Sequence, residues 1–347
     1  MPETPTLRIA RAADVWIHPA FEERLAGQPG IAVDHFAAHG DPEAAWRVLA
    51  GAHAYQISAA KDELPRAFWA GSELLARCPN LLCVSSGGAG YDTVDVAACT
   101  AAGVAVVNQA GGNAVSVAEH AMGLLLAVSH RIVECDRRMR RERGFPREEV
   151  MGREIRGRTL GVVGIGHTGS GVAALARAFG MDVIAADPFV PAEEVARRGA
   201  RLVPFEQLLA EADVVSLHCP RDATTMRMLD AAAFARMKRG AIFLTTARGG
   251  IHDEAALADA LRSGHLGGAG LDVWDVEPPA LEHPLLQLPN VVATFHTAGV
   301  THEARQRVAE FGAEQLVALA RGERPPRLIN PAVWDRFVQR RREVLGA

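Results

Sequence analysis

The sequence predicts an α/β protein built as two doubly wound domains, each a parallel sheet covered by helices. Three observations carry this. Short apolar, partly β-branched runs alternate with stretches of helical period along most of the 347 residues, the pattern of strands joined by crossover helices. One run, Leu160 to Val163, ends in Gly164-Ile165-Gly166-His167-Thr168-Gly169 and is followed by a helical stretch. The next run, Met181 to Ala186, ends at the acid Asp187. A length of 347 residues suits two domains.

In the first domain, runs at 15–17, 31–36, 53–57, 81–85 and 104–107 read as strands, with helical patterns at 44–49, 64–77 and 94–102. No G-x-G-x-x-G follows its first strand. Ser85-Ser86-Gly87-Gly88-Ala89-Gly90 closes the fourth run, at the strand end where open α/β sheets bind ligands. Asn108-Gln109-Ala110-Gly111-Gly112-Asn113 is a turn-rich break and a candidate hinge. One long helix is expected from Ser116 to Arg138, capped by Ser116 with Glu119 three residues later. It is apolar on most sides, which reads as a buried helix, part of it in a subunit interface. The second domain then shows runs at 160–163, 181–186, 201–203, 214–217, 241–245, 268–272 and 291–294, a sheet of six or so strands. A helix from 302 to 320 leads to a tail, 328–345, that returns to the first domain.

The glycine turn is a dinucleotide-binding fingerprint in its required context. Gly164 permits the tight turn, Gly166 lets a pyrophosphate approach the backbone, and Gly169 lets helix and strand pack closely. The helix N-terminus offers unpaired N–H groups and partial positive charge to phosphates. Asp187 is placed to accept from both ribose hydroxyls and to repel a 2′-phosphate. Pro188, Phe189 and Val190 follow it without an Arg, so NAD is expected rather than NADP.

Composition narrows the rest. A net charge of −4 gives no electrostatic reason to expect nucleic acid or an anionic membrane as partner. No apolar run reaches membrane-spanning length, and Met1 to Pro5 lack a leader pattern. The five cysteines form no C-x-x-C pair, which fits a reducing cytoplasm and no metal site. Lysine occurs only at 61 and 238, leaving few candidates for Schiff-base chemistry.

Four chemically useful residues fall just after predicted strands of the second domain: Arg248, Asp272, Glu277 and His296. A guanidinium binds a carboxylate bidentately. A histidine exchanges a proton near neutral pH, and a neighbouring carboxylate stabilises its charged form. Beside a nicotinamide, such groups suit interconversion of a 2-hydroxy acid and a 2-oxo acid. Cys219 follows the run 214–217.

The chain resembles the D-isomer-specific 2-hydroxyacid dehydrogenases, a family that includes glyoxylate/hydroxypyruvate reductases and phosphoglycerate dehydrogenases. The resemblance rests on Gly88-Ala89-Gly90-Tyr91-Asp92, Asn113 to His120, the Gly164 fingerprint, Leu217-His218-Cys219-Pro220, Thr246-Ala247-Arg248-Gly249-Gly250, Gly270 to Pro278, and His296-Thr297-Ala298-Gly299. It implies a flavodoxin-like substrate domain (1–113 and 321–347) and a Rossmann NAD domain (114–320), with a cleft between them. It also implies a homodimer through the nucleotide domain. Arg248 would hold the substrate carboxylate, with His296 as acid/base and Glu277 as its partner. Asp272 would meet the carboxamide side of the nicotinamide. Gly164, Gly166, His167, Thr168, Gly169, Asp187, Cys219, Pro220, Thr225, Thr246, Ala247 and Gly299 would line the NAD site. Gly87 and Gly88 would offer N–H groups to the substrate, with Ser58 nearby.

Two positions depart from the family pattern: Thr245 stands where Asn is common, and Phe295 where Pro often precedes the histidine. Glu277 rather than Gln argues against a formate dehydrogenase. A lysine-free loop at 85–90 argues against a phosphite dehydrogenase, and Ile57 before Ser58 against a phosphoglycerate dehydrogenase. Glyoxylate, hydroxypyruvate or a modest apolar 2-oxo acid is the expected substrate. The alternatives are a phosphoglycerate dehydrogenase or an NAD(H)-sensing, corepressor-like binding protein of the same fold.

Overall fold

A computed structural model of the chain describes residues 6–346; Met1 to Pro5, read above for a leader, lie outside them. The chain divides into two compact units, Met1–Asn113 with Thr301–Ala347, and Ala114–Val300.

Unit 1 holds β1 (Leu7–Ala12), β2 (Ile31–Phe36), β3 (Ala54–Ile57), β4 (Cys83–Ser86) and β5 (Ala105–Val107). They form one parallel sheet in the order β2-β1-β3-β4-β5. Side chains alternate between its faces, as the pleat requires. Ala10, Tyr55, Ile57, Val84 and Val106 pack one way, against Trp46 and Phe68. Ile9, Ala54, Cys83 and Val107 pack the other, against Phe21, Leu316 and Phe337. The first strand is displaced from its expected place. Val15 to Ile17 lie in a loop, with Trp16 62% exposed, and the strand is Leu7–Ala12. Its two arginines hid it: Arg8 pairs with Asp34 across the ladder at 3.0 Å and Arg11 with Glu22 at 2.7 Å, so charge interrupts the apolar alternation without leaving the sheet.

The expected helix at 64–77 is a short 3-10 turn, Arg66–Phe68, and a helix, Ser72–Arg77, with Gly71 as its cap. The helix His302–Ala320 spans its expected range but belongs to unit 1. Ala309, Ala313, Leu316 and Leu319 bury against Phe21 and Leu25, so the break falls at 300/301 and not at 320/321. The tail returns to unit 1 as expected: Leu328 bridges Val107, and Asn330 Oδ1 accepts from the Val106 N–H at 2.9 Å.

Unit 2 contains β6 (Thr159–Val163), β7 (Asp182–Ala186), β8 (Arg201–Leu202), β9 (Val214–Leu217), β10 (Ile242–Thr245), β11 (Gly268–Leu271) and β12 (Val291–Ala293). These seven strands form a parallel sheet in the order β12-β11-β10-β9-β6-β7-β8. The long helix expected from Ser116 to Arg138 is two helices, Ala114–Ser129 and Ile132–Met139. Ser116 lies inside the first turn, not at a cap. The break is at Arg131, in the left-handed region with φ 53° and bound to Glu134 through Nε and Nη2. The Arg153 N–H takes the Ser129 carbonyl at 2.7 Å, drawing it out of the helical ladder.

Candidate functional site

The fingerprint stands at the carboxyl end of β6. Gly164 adopts φ 86° and leads to Gly166, the cap of helix His167–Ala178. A Cβ on Gly169 would lie 2.1 Å from the Gly164 carbonyl oxygen, so that helix and turn are in contact there. A Cβ on Gly166 would meet nothing within 4 Å, which leaves the backbone open to a phosphate. Asp187 ends β7. Its Oδ2 accepts from the Ile165 N–H at 3.0 Å and its Oδ1 from the Phe189 N–H at 2.9 Å. Each oxygen retains a lone pair for a ribose hydroxyl. The residues present therefore fit the adenosine and pyrophosphate of a dinucleotide.

Cys219 follows β9 and abuts the turn: a Cβ on Gly164 would lie 2.7 Å from the Cys219 nitrogen. Burial pushes the Cys219 thiol up to about 11, which disfavours the thiolate a nucleophile needs. The Thr225 hydroxyl donates to the Pro220 carbonyl at 2.8 Å and accepts from the Asp222 N–H at 2.8 Å, so it shapes the loop. The Thr246 hydroxyl stands 3.4 Å from His218 Nδ1, and the Ser216 hydroxyl 2.8 Å from Nε2.

β10, β11 and β12 are consecutive neighbours in the sheet, so the loops after them are also neighbours. Arg248 follows β10 and Asp272 follows β11, with Glu277 five positions on, and His296 follows β12. His296 Nδ1 and Glu277 Oε2 are 2.9 Å apart, with side chains 39% and 24% exposed. Burial pushes the Glu277 pKa up, but the His296 hydrogen bond and charge, the Trp274 N–H and the Arg248 charge outweigh it and hold it below its usual value. Arg248 is thus close enough to act on the pair, while its Nη1 donates to the Ala247 carbonyl at 2.6 Å.

His296 itself has φ 48°, a left-handed conformation costing roughly 1–2 kcal/mol for an L residue. Asp272 sustains it. The His296 N–H donates to the Asp272 carbonyl at 2.7 Å. The Thr297 and Ala298 N–H groups donate to Asp272 Oδ1 and Oδ2 at 2.8 and 3.0 Å, and the Thr294 hydroxyl to Oδ1 at 2.6 Å. Asp272 is 0% exposed, and its carboxylate is engaged within the chain, holding the histidine loop. Gly299 follows that same loop.

Sequence reasoning assigned no role to three members of this arrangement. The Trp274 N–H donates to Glu277 Oε1 at 3.1 Å, while its indole N–H donates to the Thr294 carbonyl at 3.1 Å. His120 Nε2 lies 3.0 Å from the Thr294 hydroxyl. Trp274 thereby ties both halves of the His–Glu pair to the scaffold. The only signal in the sequence was adjacency to the reactive residues, which carries no information on hydrogen bonding.

In unit 1, the Gly87 N–H is spent on the Ile57 carbonyl at 2.7 Å, which corrects its expected role as a donor to substrate. Gly88, held through its carbonyl by the Gln109 N–H at 2.8 Å, has its own N–H uncommitted among the described residues. The Ser58 hydroxyl donates to Glu63 Oε2 at 2.5 Å. Among the described residues there is no cluster of His, Cys, Asp and Glu fit to hold a metal, and no helix long and apolar enough to cross a membrane.

Residues 122–298 match the family model of the D-isomer specific 2-hydroxyacid dehydrogenase NAD-binding domain. The chain is 43% identical over 251 residues to a D-3-phosphoglycerate dehydrogenase of Archaeoglobus fulgidus, covering 72% of this chain and 47% of the relative. It is 40% identical to a glyoxylate reductase of Korarchaeum cryptofilum over 76% of this chain and 80% of the relative. The crystal structure of the TT0316 protein from Thermus thermophilus superposes with a TM-score of 0.81 at 34% identity, covering 93% of this chain and 99% of that one. The chain spans about half the length of the phosphoglycerate dehydrogenases it matches. Family model, relatives and fold agree: the chain belongs to the D-isomer specific 2-hydroxyacid dehydrogenase family.

Proposed function

We propose that the protein is an NAD-dependent oxidoreductase that interconverts a D-2-hydroxy acid and a 2-oxo acid. The observation that carries this is the His296–Glu277 pair, 2.9 Å apart and under the charge of Arg248, in the NAD-binding unit. With Nδ1 bound to Glu277, His296 presents Nε2 as the acid–base atom. In the oxidation direction Nε2 takes the hydroxyl proton, and Glu277 stabilises the imidazolium that forms. In reduction the imidazolium returns that proton to the carbonyl oxygen. Arg248 fixes the carboxylate bidentately and sets the C2 hydrogen in line. NAD, held by the fingerprint turn and Asp187, supplies the hydride acceptor when bound.

We further propose a homodimer and a cytoplasmic location. Helix Ile132–Met139 buries none of its residues, and Ile132 and Met139 are 54% and 65% exposed, an apolar face suited to a second copy. The five cysteines are all free thiols, as a reducing compartment would leave them.

The test is NADH oxidation with a panel of 2-oxo acids. His296→Ala should abolish turnover and leave NADH binding nearly intact. A variant that keeps most of its kcat removes the acid–base role.

A further inference from the structure

Ile165 lies between two glycines of the fingerprint turn and is 0% exposed. Gly164 and Gly166 give the backbone the freedom the turn needs, and that freedom is lost when a ligand binds. A turn already held in its binding shape loses less and binds more tightly. Two side chains from beyond the turn hold the peptides on either side of Ile165. Asp187 Oδ2 accepts from the Ile165 N–H at 3.0 Å. Arg198 Nη1 donates to the Ile165 carbonyl at 2.5 Å.

Arg198 stands 33 residues along the chain from Ile165, at the end of helix Ala192–Arg197. Its Nε donates to Glu194 Oε1 at 2.7 Å, and the other Glu194 oxygen pairs with Arg197 at 2.6 Å. Val195 of the same helix is buried in one apolar cluster with Ile165. Gly199, at φ 83°, ends the helix, and a Cβ on it would lie 2.7 Å from Nη1 of Arg177, on helix His167–Ala178. A carboxylate and the packing around it therefore aim the Arg198 guanidinium at the turn.

Peptide geometry carries the effect to the ligand side. In a trans peptide the C=O and the following N–H point in opposite directions. With the Ile165 carbonyl turned to Arg198, the Gly166 N–H turns away from it. That N–H has no acceptor among the described residues, and the space beside Gly166 is open. Such an N–H at the start of a helix is the donor a phosphate takes.

We propose that Arg198 is a positioning residue of the cofactor site: through the Ile165 carbonyl it sets the Gly166 N–H for the pyrophosphate of NAD, and Glu194 aims the guanidinium. The proposal rests on the assignment of the turn to NAD and not on the reaction. Nε and Nη1 of Arg198 are both committed within the chain, which argues against a clamp on a 2′-phosphate.

The test titrates NADH by fluorescence into the full chain, Arg198→Leu, Arg198→Lys and Glu194→Ala, with ADP-ribose and adenosine as competitors. Thermal unfolding without ligand reports the folding of each variant. In Arg198→Leu the Kd for NADH and for ADP-ribose should rise about tenfold. Adenosine, which lacks the pyrophosphate, should bind as it does to the parent. Lys keeps a donor and should recover part of the loss. Glu194→Ala should raise the Kd about threefold. Were Arg198 only a positive charge near the phosphates, removing this carboxylate would lower the Kd instead. An unchanged Kd in Arg198→Leu, whatever its Tm, reduces the residue to helix packing and overturns the proposal. So does an equal loss of adenosine, or a lower Kd in Glu194→Ala. Should Arg198→Leu fail to fold, the signs of Arg198→Lys and Glu194→Ala decide. A chain that binds NADH in the expected pattern and turns over no 2-oxo acid keeps Arg198 and strikes the reaction. Turnover with a Kd indifferent to Arg198 does the reverse, and a parent chain that binds no NADH overturns both.

Discussion

Replacing Asp272 by Asn tests the claim that this buried carboxylate holds the catalytic loop. Asp272 accepts three hydrogen bonds, from the Thr294 hydroxyl at 2.6 Å and the Thr297 and Ala298 N–H groups at 2.8 and 3.0 Å. Asn keeps one acceptor oxygen and turns an NH2 group toward a backbone N–H. At least one charge-assisted bond is lost, worth about 1.5–3 kcal/mol. For a unit of this size each kcal/mol lowers Tm by roughly 2–4 °C, so a fall of about 3–12 °C is expected. Activity should suffer more than stability. His296 holds a left-handed backbone, φ 48°, only while the Asp272 carboxylate secures the two residues after it. Relaxation by about 1 Å would cost roughly 10²-fold in kcat. The assay pairs thermal unfolding with NADH oxidation on the best 2-oxo acid, and NADH titration serves as the folding control. A variant within about threefold of the parent kcat, at an unchanged Tm, would refute the positioning role.

Stability should fall on the acid side of neutrality. His252 is 1% exposed with neither ring nitrogen hydrogen-bonded among the described residues, and burial pushes its pKa down from 6.5 to about 4. Between those values the unfolded chain binds the proton that the folded chain refuses. The contribution is therefore full above pH 6.5 and is lost as pH falls toward 4, amounting to about 3 kcal/mol at most. Burial pushes His218 down to about 4 as well, which adds in the same direction. His252→Leu should flatten the Tm profile between pH 7 and 4.5; a slope identical to the parent's would remove His252 as its source. Asp187→Ala should raise the KM for NADH about tenfold or more and increase relative use of NADPH. An unchanged cofactor ratio counts against the Asp187 assignment.

Much of the fold was legible because its signals are local. The fingerprint of β6, its glycine turn and Asp187 announce themselves through residue type at fixed spacing, and the strand runs of unit 2 recur almost as read. Misreadings came where a local signal was masked or imitated. The arginines of Leu7–Ala12, paired with Asp34 and Glu22, obscured a strand. Ser116 imitated a helix cap from inside the first turn. Arg131 broke a helix whose apolar pattern runs on through it. The site divides similarly. Arg248, Glu277 and His296 were legible as reactive groups after strands. Trp274, Thr294 and His120 were not, since their contribution lies in hydrogen bonds made to residues distant in the chain.

The sequence by itself determined the two parallel sheets, the dinucleotide turn, the chemical groups available for proton transfer and the family. All of these are encoded by period, by glycine placement and by residue type, which neighbours along the chain express. Tertiary structure decided which groups are spent and which are left to act. It committed the Gly87 N–H to Ile57 and the Asp272 carboxylate to the histidine loop, and paired His296 with Glu277. Whether a polar group is already satisfied depends on partners brought together only by packing, and packing between distant segments leaves no trace in local pattern.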